Sequence, residues 1–265
     1  MGYIITADDY GMAPEIDRAI FELIHRKILS KVSIAVDQAA PYRAGGIPGD
    51  IQTGLHIVLP VCKNRNGNGH AKLLIVWKLF FMSFFHATAK TEKLIESISH
   101  QYNTIIEQGF KVQHLDAHLH LHIIPGMLKP MILFAKGKQI HSIRCITMEI
   151  KFFVFYCFSL IRCGFASQIP KIVLLYTAGL FMKRVLDKHH IGYTRNLVLM
   201  PLASQGNYGE LLQAVVSKAG ERDVEIVTHP GFIQKCGFDD YIEGRQKEYE
   251  ALNALGSCRS SGQAR

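Results

Sequence analysis

Several common signatures are missing from this chain. No Gly-rich phosphate loop of either common type is present. The six cysteines (Cys62, Cys145, Cys157, Cys163, Cys236 and Cys258) show no CxxC spacing. They therefore read as reduced thiols packing as small hydrophobes in a cytoplasmic protein. Met1-Gly2-Tyr3 leads straight into a strand-like run, with no basic n-region or cleavage site, which fits the same compartment. No apolar stretch reaches the roughly 18–20 uninterrupted residues of a spanning helix. Leu73–Phe85 is broken by Lys78, Phe152–Ile161 is bounded by Lys151 and Arg162, and Ile172–Met182 lies between Lys171 and Lys183. No run of Lys and Arg interleaved with aromatics accompanies the net charge of +8, so no nucleic-acid partner is expected. There is no internal repeat and no clear linker, which leaves one domain over residues 1–250.

What is present alternates between strands and helices. Tyr3–Ala7, Lys31–Val36, Thr53–Val58, Val112–His118, Ile143–Met148, Tyr193–Met200 and Val224–Thr228 read as strands. Helices are expected from Pro14, over Thr91–Gln108, Pro130–Lys138 and Tyr208–Lys218. Region 150–190 is apolar and basic and resists assignment. About seven strands alternating with helices at this length predict an α/β fold, a distorted (β/α) barrel with parallel strands. The tail, residues 251–265, is small and polar and reads as disordered.

The segment His114-Leu115-Asp116-Ala117-His118-Leu119-His120-Leu121-His122 sets four histidines and an aspartate at alternate positions. As one extended strand it would turn all five to one side. Imidazole and carboxylate are what Zn²⁺ and similar ions prefer, so the stretch points to a metal; a hydrogen-bonded polar strand is the plain alternative. Other reactive groups fall just after strands. Asp8 and Asp9 follow the first, His56 ends Thr53-Gly54-Leu55-His56, His118 closes the fourth, and His229 follows the last. In α/β barrels such positions converge on the mouth at the C-terminal ends of the strands.

Taken together, Ala7-Asp8-Asp9-Tyr10-Gly11, Thr53-Gly54-Leu55-His56, the histidine-rich stretch and Thr228-His229-Pro230-Gly231 resemble the YdjC-like carbohydrate deacetylases. The run Gly54 to Leu59 and the apolar insertion after it resemble the hopanoid-biosynthesis-associated HpnK branch. The resemblance implies a barrel of the glycoside hydrolase/deacetylase type and a hydrolase removing an N-acetyl group from an amino sugar or glycolipid. It implies Asp9, His56 and His118 as ligands of one divalent ion, Mg²⁺ or Zn²⁺, Asp8 as general base and His229 as general acid. Asp116, His122 and Arg144 would support the ligands or touch substrate, with Asp116 orienting His118 as one option. The segment after Arg144 departs from the family, which tends to have proline near Ile146 and Thr147.

Two other readings stay open. The same ligands would serve a metal-dependent hydrolase of another bond. The positive charge and apolar segments also fit a non-catalytic metal or lipid-binding protein at the inner face of the membrane. A homodimer is a further partner reading.

Overall fold

The structure, a computed structural model, describes residues 2–36, 47–59, 88–220, 223–233 and 242–262. The Asn64–Gly69 turn cluster and the Leu73–Phe85 segment lie outside them. Seven parallel strands form one sheet: β1 (Tyr3–Tyr10), β2 (Lys31–Ala35), β3 (Gln52–Ile57), β4 (His114–Ala117), β5 (Ser142–Ile143), β6 (Asn196–Leu199) and β7 (Val224–Thr228). Their order is β5-β4-β3-β2-β1-β7-β6. The sheet curls until its ends approach. Gly192, just ahead of β6, bridges Ser142 in parallel, and Ile143 N donates to Gly192 O at 3.0 Å. The result is the expected barrel-like α/β fold.

Helices cover the outside. They are α1 (Pro14–His25), α2 (Thr88–Glu107), α3 (Pro125–Gly137), α4 (Ile150–Arg162), α5 (Ile169–His189), α6 (Tyr208–Ala219) and α7 (Ile242–Gly262). Helix α1 shows why they form: Pro14 opens it, Glu15 and Asp17 face its positive N-terminus, and Ile16, Ala19, Ile20, Leu23 and Ile24 are buried. The strands alternate in register. Ile5, Ala7, Val32, Ile34, Leu55, Ile57 and Leu115 join the hydrophobic core. Thr6, Lys31, Ser33, His56, His114, Asp116 and Glu225 are buried polar residues that bond to one another across the strands, and buried Asp8 is held by Arg144. The barrel therefore has an apolar jacket and a polar interior.

One open region resolves and three expectations change. Region 150–190 is two helices, α4 and α5, joined through a 3-10 turn at Ala166–Gln168. The tail after Glu250 continues α7 as far as Gly262 rather than being irregular. Ile143–Met148 is not a full strand, since pairing stops at Ile143. The histidine-rich stretch is not one strand either: β4 ends at Ala117, and His118–Ile123 turns in 3-10 form with Leu119 and His120 at φ of 55° and 57°. Its polar groups consequently do not share one face.

Candidate active site

Consecutive residues of a strand point to opposite faces, yet Asp8 and Asp9 both reach the barrel mouth. A register shift between Ala7 and Tyr10 and a left-handed Asp9, at φ 67°, explain this. The bulge swings the second carboxylate round, at a backbone cost of about 1–3 kcal/mol. Gly11, also at positive φ, completes the turn, and its N–H donates to Asp17 Oδ1 at 2.6 Å.

Asp9 Oδ1 lies 3.2 Å from His56 Nε2 and 3.1 Å from His118 Nδ1. Ligands at about 2.0–2.1 Å around one tetrahedral ion stand ~3.3 Å apart, so each histidine nitrogen stands from Asp9 as a co-ligand of one ion would, and all three donors lie within 4.8 Å of one another. The other Asp9 oxygen accepts from Arg245 NH2 at 2.7 Å. Burial opposes charge on Asp9, but Arg245 and His118 outweigh it and hold the carboxyl well below its usual range. The side chain of His118 is 20% exposed while those of Asp9 and His56 are buried, which leaves an open approach on that flank. A second set, Asp8, His56 and Asp116, also converges. It suits a cation less, because the Arg144 guanidinium already bridges both of its carboxylates.

Asp116 bonds His56 Nδ1 at 2.5 Å, not His118. This fixes the ring with Nε2 toward Asp9, the usual carboxylate–imidazole–metal arrangement. Burial opposes charge on His56, yet Asp116 and Asp8 lift its pKa to about 10. A metal ion at Nε2 would therefore have to displace a proton.

Arg144 is wholly buried and turns inward. It grips Asp8 through two bonds of 2.5 and 2.7 Å and reaches Asp116 at 2.6 Å and Ser33 Oγ at 3.2 Å. Its charge is spent on carboxylates rather than offered to a substrate. Burial pushes the Asp8 carboxyl up, against the pull of Arg144. His229 Nε2 lies 3.8 Å from Asp8 Oδ2. Burial holds His229 well below the usual histidine range, so the ring rests neutral.

His122 folds back under β4, where its Nδ1 accepts from Ala117 N at 3.2 Å. Its Nε2 is buried without a partner among the described residues, and burial lowers its pKa to about 3. His114 sits deeper, 3.0 Å from Ser33 Oγ. A Cβ on Gly54 would come within 2.3 Å of the His114 ring, so glycine is needed there beside His56.

Two residues of the site escaped the sequence reading. Arg245 and Glu248, three apart on α7, share one helix face. Arg245 NH1 donates to His229 O at 3.3 Å, and Glu248 accepts from His229 N. Burial lifts Glu248 to about 8. Their segment, Glu243 to Glu250, is so charged that it reads as a solvated face. Only the Arg-x-x-Glu spacing hinted at a shared role.

Fold and site together define a curled (β/α) barrel with an Asp/His donor cluster at the C-terminal ends of its strands. The YdjC-like protein family model matches residues 3–255, and the chain belongs to that family. It is 24% identical to a carbohydrate deacetylase of Xenopus laevis over 93% of this chain and 89% of the relative. It is 30% identical to a human carbohydrate deacetylase over 57% of this chain and 49% of that one. A chitooligosaccharide deacetylase of Escherichia fergusonii is 26% identical over 52% of this chain and 56% of its own. In fold, the chain matches a crystal structure titled a putative cellobiose-phosphate cleavage protein, from Enterococcus faecalis. The TM-score is 0.63 at 15% identity, covering 98% of this chain and 94% of the other.

Proposed function

We propose that the protein is a metal-dependent hydrolase that removes the N-acetyl group from an amino sugar. The observation that carries this is the convergence of Asp9 Oδ1, His56 Nε2 and His118 Nδ1 beside the Asp8–His229 pair. The relatives named as carbohydrate deacetylases supply the bond and the substrate class. Two imidazoles and one carboxylate favour Zn²⁺ over Mg²⁺, which prefers oxygen donors. Asp9, His56 and His118 would hold a divalent ion, whose charge would lower the pKa of water and polarise the acetamide carbonyl.

The chain's own groups divide the remaining work. Arg144 and Arg245 hold Asp8 and Asp9 in place, and Asp116 fixes the His56 ring. Asp8, with its pKa raised, takes the proton of the attacking water. His229 Nε2, 3.8 Å from Asp8 Oδ2, takes that proton over from Asp8 and passes it to the departing amine as the C–N bond breaks. A buried imidazole that resists charge gives that proton up readily once it holds it.

A phosphoester substrate fits less well, because both guanidiniums of the site are committed to carboxylates. A lipid-linked amino sugar, as in the hopanoid-associated branch, is the finer substrate reading. It rests on the resemblance of the Gly54 to Leu59 run.

The test is acetate and free-amine release from N-acetylglucosamine oligomers and from a lipid-linked N-acetylglucosaminide. Protein stripped with a chelator and reloaded with Zn²⁺ should hydrolyse one or both. A folded, zinc-loaded sample inert on every acetamide would overturn the reading. Hydrolysis of the soluble oligomers alone would remove only the lipid linkage.

A further inference from the structure

Helices α4 and α5 each turn an apolar stripe outward. On α4, Ile150, Val154, Phe158 and Ile161 fall on one helical face. Phe158 is 67% exposed and Ile150 62%, while Phe152, Tyr156 and Leu160 are buried behind them. On α5, Val173, Leu174, Leu180 and Phe181 are exposed, with Leu174 at 63% and Phe181 at 52%. Arg184 and Lys188 extend that same face at helical spacing.

The relative placement of the two stripes follows from one ring contact between the helices. Phe153 stacks on Tyr176 with centroids 4.1 Å apart. Both stand comparably far from the connection between the helices, so the pair folds back as a hairpin. Each ring is about a quarter turn from its own helix's stripe, in the same rotational sense. In an antiparallel pair that sets the stripes side by side. Soluble surfaces rarely leave apolar area of this kind uncovered without a use.

Charge identifies what covers it. Residues 150–190 carry Lys151, Arg162, Lys171, Lys183, Arg184 and Lys188 against a single acid, Asp187. Asp187 accepts the Tyr193 hydroxyl at 2.7 Å. A second copy seated symmetrically would bring one set of cations onto another. An acidic lipid surface meets both the apolar stripe and the Arg184 and Lys188 that extend it, whereas Lys171 stands near His120 and His229 at the mouth. No described helix is long and apolar enough to cross a membrane. The surface also adjoins the barrel mouth. The start of α5 packs on the 3-10 turn that carries His118, His120 and His122.

We propose that the α4–α5 hairpin seats this protein on an anionic lipid bilayer, apolar stripes at headgroup depth and cations against the phosphates, with the mouth beside the membrane. This does not depend on the deacetylase reading, because its test uses no activity.

The full chain is sedimented with phosphatidylcholine vesicles and with vesicles that also contain phosphatidylglycerol. Binding should be at least tenfold tighter to the anionic vesicles and should weaken with salt. Phe158→Glu/Phe181→Glu and Arg184→Glu/Lys188→Glu should each lower partition by roughly tenfold or more, from about 1 kcal/mol per basic residue at the surface. Phe158→Ser/Phe181→Ser supplies a milder pair should the first misfold, with circular dichroism and thermal melting as the check. Equal binding to both vesicle types, or unchanged binding by folded variants, would overturn the proposal. So would a Phe158→Glu/Phe181→Glu variant that turns a dimer into a monomer in light scattering while vesicle binding persists. That outcome would assign the face to a second copy.

Discussion

The mouth and the floor of the barrel both bury charge, and they handle it in opposite ways. On the floor, Lys31 meets Glu225 at 3.0 Å, and Thr6 and Thr194 hydroxyls donate to the same carboxylate at 2.9 and 2.8 Å. Burial opposes the Glu225 charge, but Lys31 and Arg144 overcome it and hold the pKa at about 2. At the mouth, polar atoms of His122, Arg144, His229 and Glu248 are buried without partners among the described residues, against His114 Nδ1 deeper in the barrel. Asp9 is held in the left-handed region. A saturated cluster stabilises a fold. An unsaturated, strained one is what a binding site keeps in reserve for its ligand.

This contrast is open to direct attack. Asp8→Asn should lower kcat by roughly 10²–10⁴-fold while the protein keeps its metal, as measured by turnover and metal analysis. Loss of metal together with activity would mean that Asp8 is a ligand rather than a base. On the floor, Lys31→Met strands the Glu225 carboxylate, and stability should fall by about 3–5 kcal/mol in urea unfolding. Adding Glu225→Leu should restore most of it, with activity little changed throughout. A floor variant that lost activity but not stability would dissolve the distinction.

The pH dependence carries the same contrast. Glu225 has a depressed pKa, so its contribution is complete above the ordinary value near 4.5 and is lost as pH falls toward 2. The amount is about 3 kcal/mol. Glu225→Gln should flatten the stability profile across that window. Glu248 has the opposite sign. Its pKa is raised to about 8, so folding favours the protonated acid and stability declines as pH climbs from about 4.5 to 8. Thermal melts of Glu248→Gln should lose that decline.

Asp116→Asn is a middle case. The amide still touches His56 but no longer favours the metal-binding tautomer, and metal affinity should drop about 10–100-fold by competition with a chelator. Unchanged affinity would place Asp116 with the floor's structural bonds.

How legible was all this beforehand? Strand β7 and helix α6 follow closely from their β-branched and amphipathic patterns, because such local patterns depend on few distant contacts. The barrel class follows from strands alternating with helices, and the motifs in order along the chain point to the family. The histidine-rich stretch misled as a strand: alternation predicts one face, but Leu119 and His120 adopt left-handed backbone that no residue type announces. The tail misled in composition, where small polar residues concealed the end of a helix carrying Arg245 and Glu248.

By itself the sequence determined which chemical groups exist, their order, and their place near strand ends. Those are properties of local pattern. Which partner each group takes was decided only in three dimensions. Asp116 chooses His56, Arg144 turns inward to Asp8, and Arg245 arrives from the far end of the chain to hold Asp9. The reason is that cross-strand partners depend on register, on one bulge in β1, and on how the last helix docks. All three are set by packing between residues far apart in the chain.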